Sequence, residues 1–269
     1  MNATPELVAL NFRKVFKGGS AQPQVFLCRR RTLVPASQAA SLEADEHWVL
    51  KLMGSVPSIE LAADWVGSCF AKMLGVPCPC AEVCEVDLDA LTTAPADVRV
   101  WAQPGPAFAS EWLVNTKNPA SLYDLSRVSN SALFARLHVL DAWLEVLDRR
   151  KPDGSWNLLI DTTTSSGTFV AIDFGKSLTP CFGQVISGAQ WIDNFPAELR
   201  ELKASTELAE GLRLLSDMLD ADISSVVDAI PAAWINEKQR QAVRQFLLDR
   251  RPKVAGRLAK SAAAAGGMT

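Results

Sequence analysis

The chain changes character partway along, and that change constrains the fold more than any other feature. Through about residue 105 it is built mainly of short β-rich runs: Leu7–Leu10, Val25–Cys28, His47–Met53, Ala81–Val86 and Val98–Trp101. One helical stretch interrupts them, Ser58–Leu74, with Ser58 placed as an N-cap. Its apolar stripe holds Leu61, Trp65, Phe70 and Met73, and Gly75 followed by Pro77 ends it. Beyond Ser129 the spacing becomes helical, with Leu133, Leu137, Leu140, Trp143, Leu144 and Leu147 marking one helix over 129–147. Glu198–Lys260 continues as helix, broken at Pro231 and Pro252. Between these lie two short strands, Trp156–Ile160 and Phe169–Asp173, which read as a hairpin with a polar Ser/Thr tip. The expected class is α+β in two lobes, a β-rich N-lobe over residues 1–105 and a mostly helical C-lobe over 106–269.

Composition narrows the function classes. The 269 residues suit one large or two modest domains, and 48% hydrophobic with 21% charged residues allows a packed core and excludes wholesale disorder. A formal charge of -3 argues against a nucleic-acid coat protein, which needs a basic excess. With two histidines, His47 and His138, a His-rich metal site is excluded by counting. Six cysteines make no disulfide scaffold, and the C-x-C-x3-C of Cys78, Cys80 and Cys84 is poor zinc spacing, so these read as ordinary thiols. The start has no basic region followed by an apolar run, and no stretch reaches the roughly 18–20 apolar residues of a membrane span. The expectation is a cytoplasmic protein without a membrane or direct nucleic-acid partner. Residues 237–260 carry eight Lys or Arg against Glu237 and Asp249, a net +6. That reads as a helix face pairing with an acidic body, or as a docking surface for an acidic partner or for RNA-bearing substrates.

Four features occur in a meaningful order: a Gly18-Gly19-Ser20 turn, Lys51 inside an apolar strand, Asp148 leading from a helix to Asn157, and Asp173-Phe-Gly at a strand end. Alone, each has a plain explanation as hairpin turn, edge lysine, solvated helix terminus or post-strand turn. Together they supply what phosphoryl transfer needs. Glycine backbone approaches phosphate oxygens where a Cβ would block it, a lysine adds a point charge, an Asn and an Asp hold Mg²⁺, and a further Asp accepts the hydroxyl proton. Hydrolytic readings fail on residue types. No Gly-x-Ser-x-Gly occurs, and neither histidine has a neighbouring Ser or Cys partner.

The chain resembles the HipA-like kinase family, in its short single-kinase-domain members. The resemblance rests on Phe16-Lys-Gly-Gly-Ser-Ala-Gln-Pro, Trp48-Val-Leu-Lys51, Leu74-Gly-Val-Pro, Pro104-Gly-Pro-Ala-Phe-Ala-Ser, Leu140-Asp-Ala-Trp, Asp148-Arg, Trp156-Asn-Leu-Leu and Ile172-Asp-Phe-Gly-Lys-Ser. It implies a bilobal protein-kinase-like fold that uses ATP and Mg²⁺. Gly18, Gly19 and Ser20 would line the nucleotide, Lys51 would contact its phosphates, Asp148 would be the catalytic base, and Asn157 and Asp173 would ligate the metal. The implied activity is a serine/threonine kinase with a protein hydroxyl as acceptor. A small-molecule or lipid phosphotransferase and a pseudokinase that acts by docking are the alternatives, and an antitoxin-like partner of the toxin–antitoxin kind follows from the family. Ser20 is the local candidate for autophosphorylation.

Two departures stand out. The loop Asp148-Arg-Arg-Lys-Pro-Asp-Gly-Ser-Trp-Asn157 is longer than the family's and lacks its His, which makes Asp153 a rival base on spacing alone. Counting back from Leu74-Gly-Val-Pro, the family's glutamate partner for the strand lysine falls on Asp64, with Glu60 one turn earlier. Gly67 is expected to let the helix approach the sheet closely enough for the shorter Asp64 to reach Lys51.

Overall fold

The computed structural model describes residues 7–15, 23–30, 45–182, 195–202 and 205–258. The Gly18-Gly19-Ser20 turn, most of the polar loop 35–46 and the Ala/Gly tail lie outside the described residues. The chain forms two compact units. The first collects the described residues through Trp65, then Cys80–Trp112 and Ala229–Ile235; the second holds Val66–Pro79, Leu113–Asp228 and the residues from Asn236 on.

In the first unit five strands close a barrel in the order β1-β2-β3-β5-β4: β1 (Leu7–Val15), β2 (Gln24–Arg30), β3 (Glu46–Met53), β4 (Ala81–Val86) and β5 (Gln103–Glu111). Four of the five pairings are antiparallel, and β4 closes the ring parallel to β1. The interior is apolar, with Leu7, Phe26, Trp48, Leu50, Leu52, Val86, Ala107 and Ala109 all buried. Closure removes the free strand edges that a small sheet otherwise exposes.

The sequence predicts a strand at Val98–Trp101, and here the structure differs. After α1 (Ser58–Met73) and the Asp87-capped α2 (Leu88–Thr92), residues Ala96–Arg99 form a single helical turn, α3. Pro95 precedes it with φ −56°, which suits a helix start. Val98 and Val100 alternate as in a strand, but over four residues one helical turn also buries the first and leaves the second 87% exposed. The strand comes later, through Pro104-Gly-Pro. Its prolines are tolerated because the β3 register shifts between Lys51 and Met53, so β3 pairs with Phe108–Glu111 and with Gln103 but not between. The expected 105/106 division therefore falls inside β5, whose hydrogen bonding runs on to Glu111.

The second unit is mostly helical. A three-stranded sheet, β6 (Thr116–Lys117), β7 (Leu158–Asp161) and β8 (Thr168–Ala171), includes the expected hairpin, trimmed at its ends. α4 (Leu122–Ser126) and a 3-10 turn at Ser131–Leu133 lead into α5 (Phe134–Leu144), ten of whose eleven residues are buried. The expected helix over 129–147 is thus shorter. Ser129 and Asn130 serve the hairpin instead: Ser129 donates N–H and Oγ to Gly167 O, and Asn130 exchanges two bonds with the Phe169 backbone. Then follow α6 (Ala197–Arg200), α7 (Ser205–Asp217), α8 (Asp220–Asp228) and α9 (Glu237–Arg250). Among the described residues no helix is long and apolar enough to cross a membrane.

Candidate active site

In the first unit Lys51 lies on β3 opposite Phe108 of β5. Its Nζ donates to Asp64 Oδ2 on α1 at 2.7 Å, with the Asp64 side chain 1% exposed and that of Lys51 11%. The helix is therefore close enough for an aspartate to span the gap. Gly67 is not the reason. A Cβ built on Gly67 would overlap Cβ and Cγ of Phe174, so the bare backbone at 67 is the seat of that ring rather than an aid to approaching the sheet.

The second unit gathers Asp148, Asn157 and Asp173. α5 ends at Glu145, whose φ of 58° is the left-handed cap position, and Asp148 follows three residues on. A non-glycine residue there costs about 1–2 kcal/mol of backbone preference. Asn157 Nδ2 donates to the Asp148 carbonyl at 3.0 Å, leaving its amide oxygen as the acceptor end. Burial pushes the Asp148 carboxyl above the ordinary range; the nearby Asp173 charge adds to this, while Arg149, Lys151 and Asn157 pull it back. Asp148 Oδ1 is buried and has no hydrogen-bond partner. Asp173 adopts φ 57°, and Lys151 Nζ lies 3.6 Å from its Oδ2.

These facts suit a bound divalent cation. The Asp173 carboxylate and the Asn157 amide oxygen, with the buried Asp148 carboxylate beside them, form a hard oxygen set, with one ammonium, that of Lys151, 3.6 Å from Asp173 Oδ2. Among the described residues no cluster of three or more His, Cys, Asp or Glu side chains could hold a metal ion. A site made of one carboxylate and one amide, completed by phosphate oxygens, does not require one.

Asp153 stands apart. It is exposed and accepts from Ser155 N at 2.9 Å and Ser155 Oγ at 2.6 Å, which lowers its pKa. Lys151 N to Ser155 O and Gly154 N to Lys151 O close the Pro152-Asp153-Gly154 turn, while the Arg150–Trp156 bridge brings the chain back to Asn157. The extra residues bulge into solvent.

Two residues here had no role in the sequence reading. Arg149 is fully buried and forks onto Asp141 of α5 at 2.8 and 2.9 Å. Its Nη1 reaches the carbonyls of Asn157 (2.7 Å) and Ile172 (2.9 Å), and its guanidinium lies 4.9 Å from the Phe174 ring centre. One side chain thus ties α5, the loop and the Asp173 strand end together. Lys151 is the other. Its adjacency to Asp148 in the loop was the available signal, but its approach to Asp173 depends on how the inserted turn folds. Gly18, Gly19 and Ser20 lie outside the described residues.

A strand barrel with a lysine–carboxylate pair and a helical unit holding two neighbouring aspartates with an asparagine are consistent with a protein-kinase-like fold. Solved structures agree: the proinflammatory kinase CtkA of Helicobacter pylori has a TM-score of 0.54 at 13% identity, covering 90% of this chain and 91% of its own. The Golgi casein kinase has a TM-score of 0.51 at 12% identity, covering 94% and 73% respectively. No curated protein matches the chain. Residues 37–260 match the family model described as HipA-like kinase, and the chain belongs to that family. It is a kinase, a phosphotransferase. The matched span holds Lys51, Asp64, Asp148, Asn157 and Asp173, and begins after the Gly18-Gly19 turn.

Proposed function

We propose that this kinase is an ATP- and Mg²⁺-dependent serine/threonine kinase acting on a protein hydroxyl, with Asp148 as its base. The observation that carries the reading is the buried, unpartnered Asp148 Oδ1 beside Asp173 and Asn157. When bound, ATP supplies the γ-phosphoryl group and Mg²⁺ neutralises its charge. Asn157 and Asp173 would hold the metal, and Lys51, kept extended by Asp64, would bind phosphate oxygens. Asp148 would orient the acceptor hydroxyl and take its proton; its raised pKa makes it a better base than an exposed aspartate. Lys151, whose Nζ lies 3.6 Å from Asp173 Oδ2, would add a positive charge beside phosphate oxygens held there. The intact Lys51–Asp64 pair favours an active enzyme over a pseudokinase, because the shorter acid still makes its bond.

The test is Asp173→Ala. Transfer from γ-labelled ATP to a degenerate Ser/Thr peptide pool should fall at least ~10²-fold, and Mg²⁺-dependent ADP binding should be lost, with the fold retained. Unchanged transfer and binding would end the assignment. Label appearing on a small-molecule or lipid hydroxyl instead would move the acceptor class.

A further inference from the structure

The last turn of any helix leaves carbonyls without helical partners, and at the end of α5 outside groups take them. Asp141 O accepts from the backbone N–H of Glu145 and of Val146. Leu144 O accepts from Leu178 N at 2.9 Å, just beyond the Asp173 segment. The two carbonyls between are held by one side chain from α9: Arg250 donates Nη2 to Ala142 O at 2.9 Å and Nε to Trp143 O at 3.1 Å. The remaining arm of that guanidinium, Nη1, sits 2.8 Å from Glu145 Oε2. Both side chains of the pair are largely buried, 13% and 6% exposed.

Glu145 is an unusual residue for its position. A helix that closes in the left-handed conformation usually does so on glycine or asparagine. Here a glutamate holds φ 58° against its backbone preference, and what distinguishes it from glycine is the carboxylate bonded to Arg250. The chain then runs three residues to Asp148. One of the contacts made where it leaves α5 comes from a residue more than 100 positions later in the sequence.

We propose that Glu145 and Arg250 form a clamp that positions Asp148 for proton acceptance, so that turnover depends on the C-terminal helix α9. Arg250 acts through the loop and touches no reacting atom, which makes it a positioning residue. The inference rests on Asp148 being the base.

Arg250→Gln, Arg250→Lys and Glu145→Gln are compared with wild type and Asp148→Asn in three measurements. These are kcat and KM for ATP with the Ser/Thr peptide pool, Mg·ADP affinity by calorimetry, and amide hydrogen exchange. Arg250→Gln and Glu145→Gln should lose at least about tenfold in kcat, since small misplacements of a reacting group are expensive. KM for ATP and Mg·ADP affinity should stay within about threefold, because the lost contact acts on the transition state. Exchange at Val146 and Asn157 should quicken at least about tenfold while Leu50 and Leu52 hold. Arg250→Lys keeps the charge for Glu145 but cannot span both carbonyls, and should fall between. Exchange that is unchanged at 146–157, or that quickens equally throughout the helical unit, overturns the clamp, as does a kcat within about twofold of wild type in Arg250→Gln. Full turnover in Asp148→Asn rejects the base assignment, and the exchange and affinity data then judge the clamp alone.

Discussion

At the scale of single residues, the Asp148 charge is held at a cost to the folded state. The Asp148 carboxyl is raised above its ordinary value of 3.8, first by burial and then by Asp173. A raised folded pKa means the folded chain binds this proton more tightly than the unfolded chain, so stability from this group is full below 3.8 and is lost as pH rises through the folded value. Asp148→Asn, which carries no charge, should therefore raise the melting temperature at pH 7 while cutting transfer at least ~10²-fold. The thermal gain should shrink as pH falls toward 3.8, and a variant that melts lower than wild type at pH 7 would contradict the burial argument. The Lys51–Asp64 pair gives a second expectation. Asp64→Ala removes a carboxylate bonded at 2.7 Å to a largely buried ammonium, which should lower stability in urea unfolding and sharply weaken ATP use. Glu60→Ala should change KM for ATP less than about twofold, and the reverse result would hand the role to Glu60. Lys51, Asp148, Asn157 and Asp173 were legible because each sits in a short motif of fixed order. Arg149 and Glu145 were not, because what they do is set by Asp141, Ile172 and Arg250, partners that no local pattern announces.

At the scale of elements, α1 and α5 were readable from their apolar spacing, whereas their ends and the neighbouring strands were not. α1 stops where Gly75 takes φ 65°, a stop that glycine and the following proline signal in advance. α5 stops on a glutamate, so its end carried no such signal. α3 was misread because four residues cannot separate one helical turn from alternation, and β5 was missed because Pro104 and Pro106 hide a strand whose pairing with β3 skips them. α1 also shows how a glycine can be seen without its purpose being seen. A glycine at 67 suggests closeness to the sheet; its free space instead receives Phe174, the residue after Asp173. Gly67→Ala forces that ring to move, and overpacking of this kind costs about 1–3 kcal/mol. Because Phe174 and Asp173 share a backbone, Mg²⁺-dependent ADP binding should weaken at least about tenfold. The double change Gly67→Ala with Phe174→Leu should recover part of it. A Gly67→Ala protein that binds Mg·ADP normally would show that the ring can shift without disturbing Asp173.

At the scale of the whole molecule, the basic C-terminal segment spends its charge internally. Arg244 pairs with Asp228, Arg250 with Glu145 and Arg251 with Asp220, and Arg240 bonds the carbonyls of Val227 and Asp228. Three of the six net charges counted along the sequence are answered by acids outside the segment, which favours the intramolecular reading over a docking surface. The chain's path makes a stronger claim. After α8 it returns to the strand-rich unit for Ala229–Ile235 before resuming in α9. That return buries Ile230, Trp234 and Ile235, and the Trp234 indole N–H donates to Pro106 O on β5 at 2.8 Å. Residues more than 100 positions beyond the last strand thus pack with the barrel, on the same β5 that pairs with the Lys51 strand. A fragment ending at Trp112 lacks this segment and should stay largely unfolded by circular dichroism and amide dispersion. Trp234→Ala in the full chain should cost about 3–5 kcal/mol, the usual range for emptying a buried aromatic site. Its ATP affinity should fall with it, since the cavity opens beside the strands that hold Lys51. A 1–112 fragment that folds cooperatively by itself would show that Ala229–Ile235 decorates the barrel without completing it.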